Sequence, residues 1–176
     1  MSGRTRHAPE VADKPSPEPG RDHLLEQLRD AHADAALRAE LLGRCARAMW
    51  DGALRQVTGG LEQLAQEQER RLAHLFANLG EDPRGGRAPE AEALMARLHG
   101  LLASQPRSAA LDAVLLDLMW RSARGGAGSL ASLRLQVGAG GLHLAARLLD
   151  LSAGELRDAA SVLVALSIPS GGRAVN

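Results

Sequence analysis

The 176-residue sequence predicts an all-α protein, a four-helix bundle with a short crossover helix between its second and third long helices. Three observations carry that prediction. The apolar content, 45% of the chain, is largely alanine and leucine, which favour helix over strand, and only Trp50, Phe76 and Trp120 are aromatic. Apolar residues recur at three- and four-residue spacing through four long stretches. Turn-forming clusters separate those stretches and leave only short connectors.

Residues 1–21 carry Pro9, Pro15, Pro17 and Pro19 with many charges and little to bury, so they read as a disordered tail rather than as a targeting signal built on Arg4, Arg6 and His7. The bundle is expected over residues 22–168 and a C-terminal tail over 169–176. Asp22 reads as the N-cap of a first long helix with the stripe Leu24, Leu28, Ala31, Ala35, Ala39, Leu42, Ala46 and Met49. Asp51 and Gly52 punctuate it. A second stripe runs from Leu54 through Leu61, Ala65, Gln68, Leu72 and Phe76 to Leu79, where Gly80 suits a helix C-terminus; Thr58-Gly-Gly60 marks a kink or an alternative start. Pro89 fits the first turn of the short helix through Leu94, Leu98 and Leu102. The third long helix begins near Leu111 and ends near Gly138 to Gly141. The fourth carries Leu142, Ala145, Leu149, Leu156 and Leu163, stops before Pro169, and has capping-box spacing at Ser152 and Glu155 that allows a division near Leu151.

The third long helix contains a contradiction. After Leu111 to Trp120 comes Arg121-Ser-Ala-Arg-Gly-Gly-Ala-Gly-Ser129, and each glycine costs roughly 1 kcal/mol against alanine in a helix. The stripe places Ser122, Gly125 or Gly126, and Ser129 on the buried face. Small residues also stand at mid-height elsewhere, Ala35 and Ala39 on the first helix and Ala65 beside Gln68 on the second. The expectation is a continuous or slightly bulged helix whose glycines meet Ala35, Ala39 and Gln68 across a dry core, with Gln68 needing a buried hydrogen-bond partner. The rival is a broken helix in which Arg121, Arg124 and the glycine-rich backbone cradle an anion, although the preceding strand and Gly-Lys-Ser/Thr ending of a nucleotide loop are lacking.

Charge and residue types exclude several function classes. Lys+Arg and Asp+Glu both number 21 and tyrosine is absent, which leaves no field to gather nucleic acid and few stacking platforms. The single cysteine, Cys45, excludes an intramolecular disulfide and reads as a buried, inert thiol in a cytoplasmic protein. No apolar run approaches the roughly 20 residues of a membrane span. A di-iron carboxylate bundle needs inward glutamates and two Glu-x-x-His pairs, yet the residues three before His7, His23, His32, His74, His99 and His143 are Arg4, Gly20, Arg29, Arg71, Ala96 and Gly140. His74 reads as a surface histidine among Arg70 and Arg71. Trp50 and Trp120 read as core, or as a partner surface if exposed.

The segment Gln68-Glu-Arg-Arg-Leu-Ala-His-Leu-Phe-Ala-Asn-Leu-Gly-Glu-Asp-Pro-Arg-Gly-Gly86, continuing into Ala91-Glu-Ala-Leu94, resembles the second-helix end and connector of the YciF/YciE-type stress-response family of ferritin-like bundles. Leu28-Arg-Asp30 resembles that family's first helix, and Asp112-Ala-Val-Leu-Leu116 with Ser129-Leu-Ala-Ser-Leu-Arg134 its third. The resemblance implies a ferritin-like four-helix bundle, cytoplasmic, dimeric and stress-associated. It also marks departures. Where the family carries a Glu-His-Tyr-Glu-like run on the third long helix, this chain has Ala123, Arg124, Gly125 and Gly126; a first-helix glutamate falls on Ala35 and a second-helix histidine on Leu61; only Glu155 remains acidic.

The expectation is therefore a non-catalytic bundle that acts through self-association as a homodimer or through a protein partner, with no catalytic residues, no cofactor, no metal ligands, no nucleic acid and no membrane. Two alternatives stay open: a residual metalloprotein or oxidase using Glu155, Glu67 and Glu40, and a small-molecule or anion binder at the mid-bundle glycine layer.

Overall fold

The computed structural model describes residues 19–168 and contains five helices: α1 Pro19–Ala48, α2 Gly52–Leu79, α3 Pro89–Ser104, α4 Ala109–Ala139 and α5 His143–Ser167. The expectations for residues 1–18 and 169–176, including the Arg4, Arg6 and His7 cluster and the stop at Pro169, lie outside the described residues. Helix α1 begins ahead of Asp22, which lies in its first turn rather than capping it. Proline is tolerated in a first turn because its missing N–H has no intrahelical partner there, and an acid in that turn complements the helix dipole. Among the described residues no helix is long and apolar enough to cross a membrane.

The local signals act as their chemistry requires. Asp51 caps α2, its carboxylate accepting from the backbone N–H of Ala53 and Leu54. Gly80 closes α2 in the left-handed region at φ 69°. Pro89 lies in the first turn of α3, and the Ser108 hydroxyl caps α4. Helix α2 runs unbroken through Thr58, Gly59 and Gly60, with the Thr58 hydroxyl donating to the Leu54 carbonyl at 2.9 Å. Helix α5 is also one piece, correcting the division near Leu151: Ser152 is buried in the core and does not cap a new helix.

Two antiparallel hairpins, α1–α2 and α4–α5, form the four long sides, and α3 leads from the end of α2 back to the start of α4 along α1 and α4. Helices α1 and α4 run antiparallel: the start of α4 meets the end of α1 through Asp112 and Trp50, and Gly140 lies against Leu24. Both hairpin connections are tight and a crossover joins one hairpin to the other, which is the ferritin-like topology. The core is a continuous cluster of leucine, alanine and methionine side chains with Phe76. Helix α2 meets α5 much more sparsely than either meets its own hairpin partner.

Two polar fastenings set the register. The buried Asp112 carboxylate accepts from the backbone N–H of Trp50 at 2.8 Å and of Asp51 at 2.9 Å, tying the α1–α2 turn to α4. The connector after α2 is clasped to α1: Arg29 donates to the Asp82 carbonyl at 2.9 Å and pairs with Glu81 at 3.3 Å, while the Arg87 N–H donates to Asp30 at 2.7 Å. Gly86 lies so close to the Arg29 carbonyl that a Cβ there would strike backbone. The segments Leu28 to Asp30 and Gly80 to Gly86 therefore interlock. Within the connector, the exposed Asp82 carboxyl is held below the usual range, first by the hydrogen bond from the Arg84 backbone N–H and then by its side chain.

Trp50 corrects the expectation of a core residue. It is 64% exposed at the end of the hairpin, whereas Trp120 is half-buried with the Arg124 guanidinium 5.2 Å above its ring.

Candidate functional site: the charged middle of the bundle

Helix α4 passes through its glycines without a break. Its backbone N–H groups are therefore committed to the helix, which removes the anion nest expected beside Arg121 and Arg124. Ser122, Ala123, Gly126 and Ala127 face inward, while Gly125, Gly128 and Ser129 are exposed, so the placement of Ser129 on the buried face is corrected.

The partner of Gly126 is neither Ala35 nor Ala39 but Arg38. The Arg38 side chain is 2% exposed, and a Cβ at position 126 would collide with its guanidinium. Arg38 pairs with Asp34 one turn earlier on α1. The middle layer holds a buried cation, which corrects the expectation of a dry layer of small residues. Arg38 had a signal in the sequence: Leu28, Ala31, Ala35, Arg38, Leu42, Cys45 and Met49 follow a strict three-four alternation, and all are buried. The stripe chosen from apolar residues alone steps around that arginine through Ala39.

On the opposite side, α2 and α5 are joined by one network. Arg71 grips Glu155 with two hydrogen bonds, Nη1 to Oε2 at 3.0 Å and Nη2 to Oε1 at 2.8 Å. The Gln68 amide donates to the same carboxylate at 2.9 Å and lies 3.4 Å from the Ser152 carbonyl. The expectation that Gln68 finds a buried partner thus holds. Glu155, the one acid left at a ligand-like position, has its oxygens occupied by a guanidinium and an amide, and bidentate pairing of this kind is among the stronger polar contacts in proteins.

The other candidates do not converge. Glu67 pairs with Arg70 at 3.1 Å and Glu40 with Arg44 at 2.6 Å, each on its own helix. His74 is exposed, and His32 packs edge-on against Phe76 with ring centroids 6.2 Å apart. Among the described residues no three His, Cys, Asp or Glu side chains are grouped to hold a metal ion. Cys45 is buried, and burial pushes its thiol up from 9.0 to about 12, which keeps it protonated and a poor nucleophile. Outside the glycine layer lies an open groove of about 580 Å³, lined by Asp30, Asp34, Arg87, Pro89, Glu90 and Ser129 among others. Its acids outnumber its single arginine, which gives an anion no preference for it.

An all-α bundle with one crossover, a connector clasped onto α1 and no converging acids matches known proteins along almost its whole length. The family model described as a domain of unknown function, DUF892, matches residues 20–166. The chain belongs to the DUF892 family. This DUF892 member is similar in structure to the Escherichia coli stress protein YciF, with a TM-score of 0.77 at 18% identity, over 85% of this chain and 95% of that one. It is also similar to YcfI from Rhodopseudomonas palustris, with a TM-score of 0.78 at 19% identity, over 89% of this chain and 99% of that one. No curated protein matches the sequence. The likeness to the YciF-type family expected from the connector residues is thereby established, and with it the ferritin-like fold.

Proposed function

We propose that this DUF892 member is a non-catalytic, metal-independent scaffold of the stress response, resident in the cytoplasm, that acts by pairing with a second copy of itself. The observation that carries the reading is the occupation of mid-bundle by Arg38 against Gly126. A fixed guanidinium sits in the interior where a metal centre would need negative oxygen ligands, and Glu155 is committed to Arg71 and Gln68. The stress association rests on the likeness to a protein named as a stress protein.

Self-association is supported by the sparse α2–α5 seam. Leu144, Leu151, Glu155 and Val162 recur on one side of α5, the side from which Glu155 reaches α2. Leu144, Leu151 and Val162 are nonetheless exposed, as is Val57 on α2. An apolar strip along α5, interrupted by one satisfied ion pair, suits an isologous contact. Light scattering on the full chain tests this: a dimer that Leu144→Asp with Leu151→Asp converts to a folded monomer is expected, and a monomeric natural protein would refute it. For the metal-independent half, elemental analysis of protein purified without chelator should find less than one iron or manganese per chain. Tight binding of one or two ions would overturn it.

A further inference from the structure

We propose that one water molecule is built into the centre of the bundle, accepting a hydrogen bond from Arg38 Nε and donating one to Gln68 Oε1. Among the described residues, four buried side-chain polar atoms lack a partner, and two of them, Arg38 Nε and Gln68 Oε1, belong to side chains that line the same small cavity. Both side chains are almost completely buried, at 2% and 1% exposure, so bulk water does not serve them. The Gln68 amide is oriented by its Nε2 donation to Glu155, which fixes Oε1 as the atom left to accept. Arg38 Nε carries a hydrogen and no accepting lone pair, so it can only donate.

The cavity lies between α1, α2, α4 and α5, with Leu42, Met119, Ala123 and Leu156 among its other walls. Its volume is about 10 Å³, room for a single water and for no organic ligand. A donor and an acceptor without protein partners, on two side chains that line one such space, are the two partners a buried water needs. The water joins two groups of charges that the protein atoms leave separate. Asp34 and Arg38 on one side connect through it to Gln68, Glu155 and Arg71 on the other, making one polar chain across the bundle.

The test is a high-resolution crystal structure of the full chain, together with the same structure of Gln68→Met, which keeps the side-chain length and removes the acceptor. The expected result is one ordered peak within hydrogen-bond distance of both Arg38 Nε and Gln68 Oε1, lost in the variant. A dry cavity in the natural protein, or a direct bond between those two atoms, overturns the proposal. Oxygen-17 relaxation dispersion in solution reads the natural protein independently of the crystal and the variant: a long-lived internal water supports the site, and its absence overturns it.

Discussion

Replacing Gly126 by alanine separates helix propensity from tertiary packing in one step. In an exposed helix interior the change is stabilising by about 1 kcal/mol. At position 126 the new Cβ would meet the Arg38 guanidinium, the end of a flexible side chain that is buried and held by its pairing with Asp34. Moving it breaks a largely buried ion pair, a loss of about 3–5 kcal/mol; Asp34 is 26% exposed, which places the loss near 3 kcal/mol. The net expectation is a destabilisation of about 2 kcal/mol, or roughly 4–8 °C in Tm for a chain of this size. Thermal unfolding followed by circular dichroism measures it. Gly128→Ala is the control, since no atom outside the local backbone lies within 4 Å of a Cβ there, and it should gain about 1 kcal/mol. In an Arg38→Ala background the collision is gone, so Gly126→Ala should become stabilising, with a coupling of about 3 kcal/mol between the two positions. If Gly126→Ala and Gly128→Ala stabilise the natural protein equally, the packing of Arg38 on Gly126 is refuted.

Asp112→Ala should cost about 3 kcal/mol in urea unfolding, because the Trp50 and Asp51 N–H groups lose a buried, charged acceptor at a part-buried corner; a loss below about 1 kcal/mol would mean the turn does not depend on it. Gly86→Ala should cost about 1–3 kcal/mol by lifting the connector from the Arg29 carbonyl, whereas Gly100→Ala, on the exposed side of α3, should stabilise. The Cys45 thiol should resist iodoacetamide at pH 8 until the chain unfolds. Its proton is held more tightly in the folded state, from 9.0 up to about 12, so its contribution to stability is complete below pH 9 and declines through the window up to pH 12. Comparing pH-dependent unfolding with that of Cys45→Ala checks the sign: the variant should lack this decline.

The sequence by itself determined the helices, because their information is local. Alanine and leucine at three-four spacing, the punctuation at Asp51 and Gly52, Gly80 as a helix terminus and Pro89 in a first turn each act within a few residues, and the connector from Gly80 to Gly86 carried the family likeness. Gln68 was legible as a buried amide needing a partner for the same reason. What the tertiary structure decided is which side chains share a height. Arg38 meets Gly126 and Glu155 meets Arg71 because two hairpins and a crossover set the axial register, a quantity that no helix encodes in its own periodicity. A charge on an apolar stripe reads from sequence as the stripe's edge; it becomes interior only when the facing helix supplies a glycine to make room and Asp34, one turn earlier, supplies the compensating charge.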